Sequence, residues 1–151
     1  MFEKVLIAED HESTNISVQK TLEDLGVNSN NRHYVYYCDD ALLLLEKAIK
    51  NGEPFDLLIT DLSFEKDHRT QKIKDGVALI TAAKLVQPNL KVLVFSAENK
   101  IAVIDTFFKD LEIDAYVRKA RHDAKELKLA LDAIKNGKKY LSSDLRQAIK
   151  E

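Results

Sequence analysis

The chain has 151 residues, 45% of them apolar, and a formal net charge of −2. That length suffices for one domain with a real core, and the balanced charge argues against a nucleic-acid-binding surface, which is usually strongly basic. No apolar run is long enough to cross a bilayer, no signal peptide precedes the first strand-like run, and the single cysteine, Cys38, rules out an internal disulfide and suits a reducing cytoplasm.

Val5-Leu6-Ile7-Ala8 is a continuous apolar run ending on Glu9-Asp10, the pattern of a strand buried on both faces. Ser13 or Thr14 is expected to cap the following helix. Val18, Leu22 and Leu25 share its inner face, and Gly26 stops it. After a polar loop, His33 to Cys38 reads as a strand, being rich in aromatic and β-branched residues. Asp39 or Asp40 should cap the next helix, with Leu42, Leu45 and Ile49 inward and Gly52 and Pro54 at its end. Leu57-Leu58-Ile59 is the core of a central strand that runs out at Asp61. The charged stretch from Phe64 to Asp75 has no period and is expected to be loop. A helix from about Gly76 turns Leu79, Ile80, Ala83 and Val86 inward, with Pro88 past its end. Val92 to Phe95 is a strand ending on Ser96, and Ile101, Ile104 and Phe108 mark the helix after it. Ala115-Tyr116-Val117 is the last strand, ending on Arg118-Lys119. Leu127, Leu131 and Ile134 belong to a final helix that Gly137 stops.

Strand and helix thus alternate five times. Continuous apolar strands in that order imply an α/β fold with a doubly wound parallel sheet. Right-handed crossovers leave few topologies. The flavodoxin-like (βα)5 arrangement, strand order 2-1-3-4-5, is the expected one.

In such a sheet the strand ends share one edge, where ligands bind. Here those ends carry Glu9-Asp10, Asp61, Ser96 and Lys119. Singly, each has an ordinary use: Asp10 or Ser96 as a helix cap, Asp61 in a turn, Lys119 as a solvated charge. Jointly they point to chemistry. Three crowded acids need a cation, and hard oxygen ligands suit Mg²⁺, which often shares a phosphate. A lysine and a hydroxyl facing the same point suit phosphoryl transfer onto or off a carboxylate.

These residues resemble the motif of the receiver domain of two-component response regulators, the CheY-like family. The resemblance covers the chain to Gly137 and rests on Glu9-Asp10, Asp61, Ser96-Ala97, Tyr116 and Lys119. It implies that Asp61 accepts a phosphoryl group from a phosphohistidine on a sensor histidine kinase or a phosphotransfer protein. It implies that Asp10 and Asp61 bind Mg²⁺ directly, that Glu9 acts through water, and that the Ser63 backbone carbonyl completes the protein ligands. Lys119 would pair with the phosphoryl group and Ser96 would bond to it after a small inward movement. Ala97 leaves room beside it, and the Tyr116 rotamer would report the movement. Output would pass through the fourth helix, the fifth strand and the fifth helix, a face that also suits a homodimer.

The chain departs from the family pattern in three places. Glu65 stands where a proline is common, and Gly76 comes about seven residues late, so the loop after Asp61 carries an insertion that a surface loop tolerates. Ala120 follows Lys119 where many relatives have proline; without proline a cis bond costs about 3 kcal/mol, so a trans bond is expected.

Residues 1–137 are therefore expected to form the receiver domain and 138–151 a C-terminal linker or tail, with a short helix leading toward an absent output domain. Ala133 to Gly137 and Tyr140-Leu141-Ser142 resemble the end of NarL/LuxR-type receivers, in which a linker leads to a helix-turn-helix domain. The stretch from Ser143 is too short for that domain, so a fragment of a transcriptional regulator is expected, meeting DNA only through the output domain. The expected activity is a phosphorylation-controlled switch, not a turnover enzyme, with no membrane partner. A receiver-like interaction domain working without phosphorylation is the alternative. A phosphatase with an aspartyl nucleophile usually has a second acid two residues on; Asp61-Leu62-Ser63 lacks it, although Asp10-His11-Glu12 has it.

Overall fold

The computed structural model describes residues 2–150; Met1 and Glu151, the outer ends of the two expected segments, lie outside them. Six strands form one sheet in the order β2-β1-β3-β4-β5-β6, every neighbouring pair parallel. They are β1 (Val5–Ala8), β2 (Arg32–Val35), β3 (Leu57–Thr60), β4 (Lys91–Ser96), β5 (Ala115–Arg118) and β6 (Tyr140–Leu141). Six α-helices intervene or follow: α1 (Glu12–Asp24), α2 (Cys38–Lys50), α3 (Gly76–Val86), α4 (Ile101–Asp110), α5 (Asp123–Lys135) and α6 (Ser143–Lys150). The flavodoxin-like order expected for five strands is present, with a sixth strand added beside β5.

Side chains alternate across a strand, and this divides the core into two layers. Leu6, Leu58, Val92, Val94 and Tyr116 pack with residues of α2, α3 and α4, among them Leu45, Leu79, Ile104 and Phe107. Val5, Ile7, Leu57, Ile59, Leu93 and Val117 pack with Val18, Leu22, Leu127, Leu131 and Ile134 of α1 and α5. Burying one such aliphatic side chain is worth about 1.5–3 kcal/mol, so both faces hold the sheet and leave its edge free for polar residues.

Several local expectations shift by a residue or two. Helix α1 starts at Glu12 with His11 as its N-cap and no capping side-chain bond; the turn after β1 is so short that Ser13 and Thr14 already lie in the first turn. Strand β2 stops at Val35 and Cys38 already opens α2. Asp39 and Asp40 therefore sit inside the first turn of α2, capping nothing. The buried face of α2 is Cys38, Ala41, Leu45 and Ala48. Ile49, one position and about 100° further round, is exposed, as is Leu25 at the end of α1. In α4 it is Phe107, three after Ile104, that is buried. Phe108 and Ile101 are only partly buried, at the margin of the core. No described peptide bond is cis, so the Lys119–Ala120 bond is trans as expected.

The inserted loop is tied down at many points. The Asp39 carboxylate accepts from the amides of Lys72 and Ile73 at 2.9 and 2.8 Å. Arg69 pairs with Asp40 at 2.6 Å and lies over the Tyr37 ring. The loop closes where the Gly76 amide donates to the Leu62 carbonyl at 2.8 Å. At Gly76 the backbones are so close that a Cβ would lie 2.0 Å from the Asp61 carbonyl oxygen. Asp75 caps α3 by accepting from the Ala78 amide at 2.8 Å. The insertion is thus looped outward while its two ends meet at Asp61.

After Gly137 the chain returns to the sheet. The Tyr140 amide donates to the Asp114 carbonyl and the Ser142 amide to the Tyr116 carbonyl, both at 3.0 Å. Leu145 of α6 is buried in the same layer as Tyr116.

Candidate functional site

The strand register gathers the site. Ala8 lies beside Thr60, and Ser96 beside Arg118. The ladder then runs one residue further: the Asp61 amide donates to the Ala8 carbonyl at 3.2 Å and the Lys119 amide to the Ser96 carbonyl at 2.8 Å. The Glu9 amide donates likewise to the Val35 carbonyl. Glu9, Asp61, Ser96 and Lys119 consequently meet at one end of the sheet. Asp61, Ser96 and Lys119 line an open cleft there together with His11, Ser13, Leu62, Ser63, Ala97 and Glu98.

Lys119 Nζ bridges two carboxylates, 2.7 Å from Asp61 Oδ2 and 2.7 Å from Glu9 Oε1. Glu9 is 3% exposed and Asp61 5%. Burial opposes the Lys119 charge, but the bonds to Asp61 and Glu9 outweigh it and hold its pKa above the ordinary lysine value. For Glu9, burial and then the neighbouring Asp61 charge raise the pKa, and the Lys119 bond only partly offsets them. The other Asp61 oxygen, Oδ1, accepts from the Leu62 amide at 2.6 Å, with the Ser63 amide at 3.5 Å.

Asp10 stands differently. Its Oδ2 accepts from the Glu65 amide at 2.7 Å, at the start of the inserted loop. Its Oδ1 is buried and has no hydrogen-bond partner among the described residues. A buried, unsatisfied carboxylate oxygen costs free energy that a cation would relieve. The donor set of Glu9, Asp10 and Asp61 is all hard oxygen, so the residues present fit Mg²⁺. His11 also faces the group: its Nδ1 lies 3.4 Å from Glu9 Oε2 and 3.2 Å from Asp10 Oδ1. Ligand atoms of Glu9, His11 and Asp61 all lie within 4.8 Å of one another.

Ser96 is buried at the end of β4, and Ala97 after it is exposed. Tyr116 is fully buried, stacked on Phe107, and its hydroxyl donates to the Glu98 carbonyl at 2.8 Å. Burial raises its pKa. Tyr116 thus ties β5 to the loop that leads into α4.

The structure brings together Glu9, Asp61, Ser96 and Lys119 as expected, while Asp10 reaches toward the inserted loop. Sequence reasoning passed over His11 and the Glu65 amide. Adjacency to Glu9-Asp10 was the available signal for His11. For Glu65 it was the absence of proline, since a proline has no N–H to donate.

No protein-family model matches the chain. It is similar to the transcriptional regulatory protein RcsB of Escherichia coli, strain K12, with 30% identity over 148 residues. Those residues are 97% of this chain, and the chain spans 62% of that relative's length. Among solved structures it is similar to the isolated REC domain of Salmonella enterica serovar Typhimurium RcsB in the presence of the phosphomimetic BeF3⁻, with a TM-score of 0.74, 28% identity and 96% of each chain covered. It is also similar to RcsB in a structure of two RcsB dimers bound to two parallel DNAs, with a TM-score of 0.73, 28% identity, and 96% of this chain and 66% of that chain covered.

Proposed function

We propose that this chain, a receiver domain of the two-component response regulators homologous to that of RcsB, a NarL/LuxR-type regulator, accepts a phosphoryl group on Asp61 from a phosphohistidine of a sensor histidine kinase or a phosphotransfer protein. One observation carries this: Asp61, at the end of the central strand, is buried at the mouth of a cleft with Lys119 bonded to it at 2.7 Å.

In the transfer, an Asp61 carboxylate oxygen attacks the phosphorus in line. The P–O bond forms as the P–N bond to the donor imidazole breaks, and the electron pair leaves with the imidazole. The protein's task is to place the nucleophile and neutralise charge. Lys119 is set to follow the charge from the carboxylate onto the phosphoryl oxygens, and the Ser96 hydroxyl is the second donor. Glu9, Asp10 and Asp61 would hold Mg²⁺, with the Ser63 carbonyl as a further ligand. When bound, the ion supplies the positive charge that lets several acids and a phosphoryl group share one site.

The protein is then a switch and not a turnover enzyme. A phosphoryl group adds charge at Asp61, and drawing Ser96 toward it moves the loop that holds the Tyr116 hydroxyl. That links a local charge event to the face of α4, β5 and α5, through which a second copy would dock. RcsB binds DNA as dimers; by analogy this chain regulates transcription through an output domain and works in the cytoplasm. No described helix is long and apolar enough to cross a membrane.

The test is intact-mass measurement after incubation with acetyl phosphate and Mg²⁺. The mass of the parent should rise by one phosphoryl group and that of Asp61→Asn should not. Equal modification of both would overturn the assignment.

A further inference from the structure

We propose that His11 is a nitrogen ligand of the cation site, making it a mixed carboxylate–imidazole site that takes Mn²⁺ in preference to Mg²⁺. This rests on the cation site of the proposed function and adds to it a ligand and a selectivity. His11 Nδ1 lies 3.4 Å from Glu9 Oε2. A divalent ion with bonds of about 2.1 Å sets adjacent octahedral ligands roughly 3 Å apart and opposite ones roughly 4.2 Å apart. The Glu9, His11 and Asp61 ligand atoms, all within 4.8 Å of one another, are close to that spacing before any ion contracts them. Lys119 occupies Glu9 Oε1 and Asp61 Oδ2, and Glu9 Oε2 faces His11, 3.4 Å from both its backbone amide nitrogen and its Nδ1. The same nitrogen lies 3.2 Å from Asp10 Oδ1, the buried oxygen without a hydrogen-bond partner. Asp10 is outside the set of ligand atoms that lie within 4.8 Å of one another, so the ion beside His11 is held by Glu9, His11 and Asp61.

The imidazole is half exposed on the cleft, free to adjust, while its backbone is held as the N-cap of α1. Carboxylate oxygens suit Mg²⁺ and Mn²⁺ alike; an imidazole nitrogen adds affinity for a first-row transition ion that Mg²⁺, a hard oxygen-seeking ion, does not gain.

The experiment is pulsed electron paramagnetic resonance of Mn²⁺ bound to the purified chain, with histidine alone labelled with ¹⁵N. The expected result is an echo modulation from a directly bound ¹⁵N that disappears in His11→Ala. In that variant Mn²⁺ still binds, about tenfold or more weakly, while Mg²⁺ affinity, read by displacement of Mn²⁺, changes by less than about twofold. Bound Mn²⁺ without histidine coupling, coupling that persists in His11→Ala, or Mn²⁺ that excess Mg²⁺ does not displace would each overturn the proposal while leaving a Mg²⁺ site intact. If neither ion binds at millimolar concentration, the cation site fails, and this proposal with it.

Discussion

Asp10 uses its two oxygens for different tasks. Oδ2 is held by the Glu65 amide, and Oδ1 is buried with no hydrogen-bond partner among the described residues, His11 Nδ1 lying 3.2 Å away. The held oxygen fixes the direction of the other, as an outer hydrogen bond orients a metal ligand. This bond exists because Glu65 keeps an N–H that a proline would lack. Glu65→Pro is expected to lower Mg²⁺ affinity about tenfold, whereas Glu65→Ala, which keeps the amide, should bind like the parent. Calorimetric titration of both variants with Mg²⁺ separates the amide from the side-chain charge. Equal affinity in all three chains would show that the bond orients nothing.

Among the elements, the junction of β3 and α3 is the least forgiving. The inserted loop leaves after Leu62 and returns at Gly76, whose amide bonds to the Leu62 carbonyl. A Cβ at residue 76 would meet the Asp61 carbonyl oxygen at 2.0 Å and the Leu62 Cα at 2.8 Å. Both contacts are backbone, so no side chain is able to rotate away. Gly76→Ala must push α3 off β3 or displace Asp61 itself. Loss of roughly 1–3 kcal/mol is expected, by analogy with overpacked cores, together with slower modification by acetyl phosphate. Urea unfolding measures the first and intact mass the second. A variant of parental stability and rate would mean that α3 shifts without moving Asp61. The length of the insertion, by contrast, is absorbed outside this junction, by Asp39, Asp40 and Tyr37 on the α2 side.

For the molecule as a whole, the C-terminal strand and helix are part of the folded unit, and Glu126 fastens them. It accepts from the Ser143 amide at 2.8 Å and from the hydroxyls of Ser143 and Tyr140. Burial works against the Glu126 charge, but the Ser143 and Tyr140 bonds outweigh it and leave its pKa below the ordinary value. Burial and the same bond push the Tyr140 phenol up to about 12. A depressed carboxylate contributes stability that is fully present above its unfolded pKa and is lost as pH falls through the folded one. The parent should therefore be more stable than Glu126→Gln near neutrality, by no more than about 1 kcal/mol at a site still partly open to solvent. That margin should close between about pH 5 and 3. Unfolding curves across this range check it, and a margin independent of pH would exclude the carboxylate charge as its source.

The sequence by itself determined the parallel sheet and the set of acids, hydroxyl and lysine at its edge. Continuous apolar runs and the residues that end them are local signals, and parallel strands bring their ends to one side whatever the loops do. Which partners those side chains choose was decided only by the tertiary structure. Lys119 bridging Glu9 and Asp61 depends on ladder register between β1, β3 and β5. Phe107 takes the buried place and Phe108 the margin of the core because the phase of α4 is set by its seat on the sheet. Two-residue β6 is too short to carry a period and exists through its bonds to β5. The tie from Asp10 to Glu65 joins a carboxylate to a backbone amide across the inserted loop; no pattern of residue types encodes such a bond, because every residue but proline offers the same N–H.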